Sequence, residues 1–248
     1  MSVEQQRIEA LERELALART ALEDFTHSVS HDLRAPLRHV TSYLRIIRED
    51  LGSALQPEIS AHLQTAADAA ALIGQQIDGL LLLSRVGRVE LEWSQVDLGR
   101  LVTEVRQQLE PQCAGRAVEW RIAADLPVVR GDVVLLGQSL AHLMGNALKF
   151  SAGAEPALIE VGWRRLDGAW FELTIADNGV GFDPRFQDRL FRVFQRLHSS
   201  RQFDGLGIGL AFCRLVVERH GGSIQAQGVA QGGCRITLRL PRAAPVSQ

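Results

Sequence analysis

The feature that most restricts the fold of this chain is a long heptad pattern near its N-terminus. Residues 4–51 contain no glycine, and Pro36 is their only proline. Apolar side chains recur there in alternating steps of three and four, which places them on one stripe of a helix. The stripe consists of Ile8, Leu11, Leu15, Ala18, Leu22, Phe25 and Val29. Because a lone helix would leave this stripe in water, the pattern predicts a coiled coil, most simply with a second copy of the chain.

A change of register at Val29 separates this stripe from the next ones. Two successive steps of four flank Val29, and such a stutter locally unwinds a supercoil. The following stripe comprises Leu33, Leu37, Val40, Leu44, Ile47 and Leu51. A loop is predicted at 51–58. Beyond it, a further stripe comprises Ile59, Leu63, Ala66, Ala70, Ile73, Ile77, Leu80 and Ser84. Residues 25–86 are therefore predicted to form an antiparallel helical hairpin, and two copies would close a four-helix bundle.

From about Gly87 the chain alternates short strand-like and helix-like segments. Asp97 and Asp132 each precede a helical pattern as an N-cap, and a third helical pattern covers 207–222. The strand-like segments are 117–122, 157–165, 169–177, 223–228 and 234–241, with a hairpin turn at 166–168. This order predicts a two-layer α/β sandwich with a mixed sheet. The long irregular segment 183–205 is of the kind that forms a functional lid or stays disordered.

Composition and charge exclude several classes of protein. The net charge of −2 gives no reason to expect a nucleic acid or an anionic membrane as a partner. The three cysteines are odd in number and far apart, so they indicate neither a disulfide framework nor a metal site, and a reducing cytosol suits them. No apolar run approaches the ~20 residues of a membrane span. We therefore expect a cytoplasmic protein of one or two domains without a span.

One candidate for chemistry is His31, which lies between the stripe residues Val29 and Leu33. Each helical residue advances by about 100°, so a step of two turns His31 away from both neighbours and toward solvent. Asp32 is adjacent, and a carboxylate bonded to one ring nitrogen makes the other a better nucleophile. Pro36 removes a backbone donor and permits a bend in the helix. An exposed, oriented imidazole suits a phosphoryl acceptor, whereas a lone histidine is more commonly a plain surface residue.

Two glycine-rich segments and one helix face supply a second candidate. The segment 177–182, DNGVGF, follows a predicted strand, and the segment 205–210, GLGIGL, opens a predicted helix. Glycines let backbone amides approach phosphate, and a helix N-terminus favours an anion. Asn146 and Lys149 share one helix face, where an amide oxygen can hold Mg²⁺ and an ammonium group can neutralise phosphate. Each feature alone would be explained better by ordinary turns or a polar helix face.

Together, these motifs make the chain from about Phe25 to Pro241 resemble the catalytic core of sensor histidine kinases of two-component systems. The matching motifs are SVSHDLRAPL at 28–37, NALKF at 146–150, DNGVGF at 177–182, LFRVFQRLH at 190–198 and GLGIGL at 205–210. Residues 190–222 look most like phytochrome-type and PAS-linked kinases. The resemblance implies a coiled coil and helical hairpin that form a dimeric four-helix bundle, followed by a two-layer α/β sandwich of the Bergerat-type GHKL ATP-binding fold.

The resemblance also implies a domain order and a set of partners. The implied domains are a coiled-coil signalling helix at 1–24, a dimerisation and histidine phosphotransfer (HisKA) domain at 25–88, an ATP-binding (HATPase_c) domain at 89–243 and a tail at 244–248. The implied activity is ATP-dependent autophosphorylation with Mg²⁺ in a homodimer. A response regulator receiver domain would accept the phosphoryl group on an aspartate, and an upstream sensor domain or protein would supply the signal.

The resemblance assigns a role to each candidate residue. His31 would be the phosphorylated residue and Asp32 its general base, while Asn146 would hold Mg²⁺, Lys149 would contact phosphate and Asp177 would accept from the adenine amino group. By the same resemblance, Gly179 and Gly181 would shape the adenine pocket, and Gly205, Gly207 and Gly209 would form the hinge of the lid. Phe191 and Phe194 would anchor the lid, and Arg196 or Arg201 would make a further phosphate contact.

Three positions depart from the family pattern. His142 stands where a second asparagine is common, which can alter Mg²⁺ affinity, and Cys234 replaces a common serine or threonine with little expected effect. Ala35 replaces a threonine or asparagine that orients water, which predicts weak phosphatase activity toward the regulator.

Two alternative functions stay open. An ATPase of the gyrase, heat-shock or mismatch-repair type would have no use for the SHDLR hairpin, and a non-catalytic dimeric phosphotransfer scaffold would not need Asn146 or Asp177.

Overall fold

The computed structural model of the chain describes residues 3–166, 168–199, 202–228 and 232–242. The chain divides into two compact units, Met1–Arg88 and Val89–Gln248. The predicted tail at 244–248 and Asp167 of the predicted hairpin turn lie outside the described residues.

The first unit is a hairpin of two long helices. Helix α1 covers Val3–Leu51, a single 3₁₀ turn covers Gly52–Ala54, and helix α2 covers Pro57–Arg88. α1 runs through Pro36 without ending there. The connection is therefore shorter than the loop predicted at 51–58, because the flanking residues complete the two helices.

Polar contacts between the two helices establish their direction. Arg34 Nη2 donates to Asp78 Oδ1 at 2.8 Å, and Arg48 Nη1 donates to Gln64 Oε1 at 3.2 Å. Residue numbers that rise along α1 fall along α2, so the helices are antiparallel. The predicted helical hairpin is confirmed.

Much of the apolar surface of the hairpin is exposed within the single chain. Leu33 is 49% exposed and Val40 is 51% exposed. The other exposed large apolar side chains of residues 29–88 are Val29, Tyr43, Ile46, Ile47, Leu51, Ile59, Leu72, Ile73 and Leu82. By length and composition α2 could also cross a membrane, a test that core helices of soluble proteins pass as well. The hairpin alone thus leaves many large apolar side chains uncovered.

The second unit is a two-layer α/β sandwich. In chain order its elements are β1 (Trp93–Asp97), α3 (Leu98–Leu109), β2 (Val118–Ile122), β3 (Val128–Asp132), α4 (Val133–Phe150), β4 (Ala157–Arg165), β5 (Trp170–Asp177), α5 (Gly209–Arg219), β6 (Ser223–Gly228) and β7 (Cys234–Pro241). The main sheet has the order β2-β4-β5-β7-β6, with β2 parallel to β4 and the other pairs antiparallel. The predicted mixed sheet is confirmed.

One face of this sheet forms the core with the helices. Along β5, Phe171, Leu173 and Ile175 are buried, while Glu172 and Thr174 between them are partly exposed. This period of two directs alternate side chains toward the helical layer, where α4 packs on β5. The helices contribute their own buried apolar faces, which include Val102 on α3, Leu140 on α4 and Val216 on α5.

A separate two-stranded sheet was missed by the sequence analysis. β1 pairs antiparallel with β3, with Trp93 opposite Asp132 and Asp97 opposite Val128. Each strand ends at the aspartate that caps the next helix: Asp97 Oδ1 accepts from the Arg100 N–H, and Asp132 Oδ1 accepts from the first turn of α4. The two predicted N-caps are therefore confirmed, and the small sheet is what positions them.

Candidate functional site

The C-terminal half of α4 presents His142, Asn146 and Lys149. Asn146 and Lys149 are partly exposed and one turn apart. The His142 ring lies edge-on to Phe212 of α5, with centroids 5.2 Å apart. A Cβ at Gly209 would lie 3.2 Å from His142 Nδ1. The start of α5 thus packs closely against the polar residues of α4.

Lys149 contacts the long segment between β5 and α5. Its Nζ donates to the backbone carbonyl of Asp204 at 3.2 Å and lies 4.4 Å from the centre of the Phe150 ring. Desolvation lowers the pKa of Lys149, the positive charge of Arg196 lowers it further, and Asp204 acts in the opposite direction. A partly desolvated ammonium group held by a neutral carbonyl would gain from an anionic partner.

Asp177 ends β5 as a largely buried carboxyl group. Its Oδ1 accepts from the Gly179 N–H at 2.9 Å. Burial raises the pKa of Asp177 to about 6, although backbone N–H bonds from Gly179 and Cys234 act in the opposite direction. The group is therefore an under-solvated acceptor, and a ligand amino group would supply the donor that water otherwise provides.

The DNGVGF segment packs directly on the end of α4. A Cβ at Gly179 would lie 2.3 Å from the backbone oxygen of Phe150, and that same oxygen accepts from the Val180 N–H at 3.2 Å. Gly181 has a φ of 60°, and its carbonyl contacts His198 Nε2 at 2.9 Å. The loop that follows Asp177 is thereby fixed to the end of the helix that carries Lys149.

The GLGIGL segment carries the conformations that only glycine adopts easily. Gly205 has a φ of 134° and Gly207 a φ of 72°. The Gly207 carbonyl accepts from the Phe194 N–H at 2.9 Å, and a Cβ there would lie 2.6 Å from the Gln195 oxygen. Phe194 itself has a φ of 61°, an uncommon conformation for a large side chain. The glycines and the predicted lid anchor are therefore in direct contact.

The predicted lid, residues 183–205, contains only a short 3₁₀ segment, Pro184–Arg189, among its described residues. Phe191 is buried, as expected for an anchor. The guanidinium of Arg196 donates to the backbone carbonyl of Phe203, and its charge acts on Lys149. Arg201, the alternative phosphate contact, lies outside the described residues.

An aromatic cluster was missed by the sequence analysis. Phe150, His198 and Phe203 contact one another, with ring centroids 4.9 to 5.5 Å apart. The cluster joins the lid segment to the end of α4 beside Lys149. Its members are distant in sequence and share no spacing, so only the folded chain reveals it.

In the first unit, His31 belongs to α1, as predicted. The predicted outward direction of its side chain lies outside what the structure describes. Asp32 is exposed, and Ala35 is partly buried. The chemical roles of these residues stay predictions.

The second-unit residues fit a nucleotide and Mg²⁺. Asp177 offers an acceptor for an amino group, and Lys149 offers a cation for phosphate. Among the described residues, no group of three or more His, Cys, Asp and Glu side chains could hold a metal ion. Mg²⁺ held by the Asn146 oxygen together with ligand phosphates would need no such group.

Comparisons with known proteins agree with this geometry. The model of the histidine kinase-, DNA gyrase B- and HSP90-like ATPase family (HATPase_c) matches residues 131–244, and that of the His Kinase A phospho-acceptor domain (HisKA) matches residues 21–88. Cyanobacterial phytochrome B from Nostoc sp. is 34% identical over 92% of this chain and 30% of its own length. The circadian input-output histidine kinase CikA from Synechococcus elongatus is 31% identical over 95% of this chain and 32% of its own length.

Two solved structures share the fold. Full-length ShkA in complex with AMPPNP superposes with a TM-score of 0.62 at 24% identity, over 90% of this chain and 47% of that one. The Acinetobacter baumannii histidine kinase AdeS superposes with a TM-score of 0.57 at 18% identity, over 86% of this chain and 98% of that one. The chain spans about 30% of the length of the phytochrome relatives that it matches.

The close approach of Gly179 to α4 leads to a first prediction. Gly179→Ala would force a methyl group to within 2.3 Å of the Phe150 carbonyl oxygen, so the loop or the helix end must move. We expect a loss of about 1–3 kcal/mol in the free energy of unfolding, measured by urea denaturation. Gly162→Ala is the control, because a Cβ there meets nothing within 4 Å. Equal stabilities of the two variants would contradict the observed packing.

Proposed function

Because this chain belongs to the sensor histidine kinases, with a phospho-acceptor domain and an ATP-binding domain, we propose that it autophosphorylates on His31 and phosphorylates a response regulator. The observation that carries the proposal is that one chain contains both the SHDLR motif on a helical hairpin and the Asp177 carboxyl with the glycine-rich segments 177–182 and 205–210. An ATPase alone would not require the first feature, and a scaffold would not require the second.

Each residue of the second unit has a proposed task toward ATP. The Asp177 carboxylate accepts a hydrogen bond from the adenine amino group, and Gly179 keeps the loop beside Asp177 packed on the end of α4. Lys149 exchanges its bond to the Asp204 carbonyl for a phosphate oxygen. Asn146 is the proposed protein ligand of Mg²⁺, with His142 on the same helix face. Bound Mg²⁺ would neutralise charge on the phosphates during transfer.

The proposed reaction transfers one phosphoryl group to a ring nitrogen of His31. A nitrogen–phosphorus bond forms as the bond from the γ-phosphorus to the bridging oxygen breaks, and ADP leaves. Asp32 orients the imidazole and takes the proton that the ring loses. In the second step an aspartate of the receiver domain attacks the phosphohistidine and restores the free imidazole.

The proposed assembly is a homodimer through the hairpin. Its support is the exposed apolar surface of α1 and α2, which includes Leu33 and Val40 and is too extensive for a stable free surface. Pairing two hairpins would bury it in a four-helix bundle. We also propose an upstream sensor, since the phytochrome relatives are much longer than this chain. We further propose a cytoplasmic location, because the three widely spaced cysteines suit a reducing compartment.

The central test is autophosphorylation with γ-labelled ATP and Mg²⁺. We expect label on the wild-type chain that is lost in acid, as a phosphorus–nitrogen bond would be, and no label on His31→Gln. The matched control is His39→Gln, an exposed histidine eight residues further along α1, which should label like the wild type. Acid-stable label, or label that persists on His31→Gln, would contradict the proposal. Phosphate release without labelled protein would favour the ATPase alternative.

The pKa of Asp177 gives a pH-dependent prediction. The ionised carboxylate is the stronger acceptor, and its pKa is raised to about 6, so the affinity for a non-hydrolysable ATP analogue should fall as pH decreases through 6. About one tenth of the groups are ionised one pH unit below the pKa, so affinity at pH 5 should be roughly tenfold weaker than at about pH 7.5. Asp177→Asn should bind weakly without this dependence, as measured by calorimetry. The phosphates of the analogue titrate in the same way with the wild type and with Asp177→Asn. Identical slopes of affinity against pH for the two proteins would therefore exclude Asp177 as the acceptor.

The residue at position 35 leads to a prediction about the reverse reaction. Alanine cannot hold a water molecule, so we expect the chain to dephosphorylate its regulator slowly. Ala35→Asn should increase that rate, measured as loss of phosphate from a receiver domain purified after phosphorylation by this chain. Robust dephosphorylation by the unmodified chain without ATP would contradict the prediction.

A further inference from the structure

His220 is a buried histidine outside the site described above. It follows the last residue of α5 and is 3% exposed. Its Nε2 lies 2.9 Å from the backbone nitrogen of Asp132, and its Nδ1 lies 2.7 Å from the carbonyl oxygen of Val216. An N–H can only donate and a carbonyl can only accept, so the ring is neutral, with its proton on Nδ1.

The ring joins the ends of the two helices that form the nucleotide site. Asp132 is the N-cap of α4, and His220 is the C-cap of α5. At the opposite end of the pair, Phe212 contacts His142, and midway Cys213 Sγ lies 3.5 Å from the Ser139 carbonyl. α4 and α5 are therefore antiparallel neighbours, fixed at one end by a hydrogen bond.

Close packing leaves the His220 ring little freedom. A Cβ at Gly131 would lie 2.5 Å from Leu136 Cδ1 and 3.1 Å from His220 Nε2, so a side chain there would displace Leu136 and press on the ring. The Trp93 ring of β1 lies edge-on to His220 at 5.3 Å, and the Arg130 guanidinium lies 5.0 Å from the centre of the Trp93 ring. The histidine is thus held between the small sheet and both helices.

We propose that His220 is a positioning residue of the nucleotide site, setting the axial position of α4 against α5. The apolar side chains packed between α4 and α5 hold the helices together through a force that is not itself directional. The His220–Asp132 bond is directional and fixes one position. Sliding by a single residue would move Asn146 and Lys149 by about 1.5 Å relative to the glycines at 205–209. This inference rests on the proposed binding of ATP to that site.

The test compares nucleotide affinity with stability in four versions of the full chain. They are the wild type, His220→Ala, His220→Gln and Asp97→Ala. The glutamine can place an acceptor where Nε2 stands, whereas alanine cannot. Asp97→Ala is the control, because it removes the N-cap of α3, the helix that carries none of the proposed nucleotide-binding residues. Affinity for a non-hydrolysable ATP analogue is measured by calorimetry under conditions where urea denaturation shows each version to be folded.

We expect His220→Ala to weaken nucleotide binding about fivefold or more, the usual lower range for coupling between sites. His220→Gln should recover most of the affinity, and Asp97→Ala should lose stability but keep wild-type affinity. If His220→Ala does not fold, His220→Asn replaces it, since its shorter side chain cannot reach the Asp132 N–H. Equal affinities for the wild type and the Ala or Asn variant would overturn the inference alone. A wild-type chain that binds no nucleotide would overturn the proposed function, and the inference with it.

Discussion

Asp132 makes the hydrogen bonds on which the ATP-binding unit depends. One carboxylate oxygen accepts from the N–H groups of Val134 and Leu135, the other accepts from the Glu92 N–H, and the backbone N–H of Asp132 donates to His220. Charge-assisted bonds from a carboxylate to backbone N–H groups are among the stronger hydrogen bonds in proteins. The start of the unit, the start of α4 and the end of α5 therefore meet at one residue, and the residues at the far end of α4 take their positions from it.

The site retains features that a fold selected for stability alone would avoid. The Asp177 carboxyl is buried without an opposite charge, the Lys149 ammonium is partly desolvated, and Phe194 adopts a φ of 61°. Each of these features costs stability locally and is held in place by the surrounding sheet and helices. A ligand with an amino group at one end and phosphates at the other would supply a further donor to Asp177 and an anion to Lys149, so binding would relieve the costs that folding leaves.

The parts of the fold that sequence reasoning found are those in which local chemistry repeats or is unusual. Heptads predict the hairpin, and a glycine such as Gly179 marks a place where one backbone crosses another. β1 and β3 escaped because their sequences, WSQVD and VVRGD, lack the alternation of apolar and polar residues that marks the equally short β2, VEWRI. The contacts of His198 and Phe203 with Phe150 escaped for another reason. They depend on a lid folding over a helix end, which no periodicity within a segment encodes.

The bond from Glu92 to Asp132 has a consequence for where this unit can be cut. The ATPase family match begins at residue 131, whereas the compact unit begins at Val89, 42 residues earlier. A piece starting at residue 131 would lack β1, α3, β2 and the first three residues of β3, and it would lose the Trp93 ring that packs on His220. The recognisable sequence signature is thus shorter than the folding unit, and the residues that complete it lie directly after the last turn of α2.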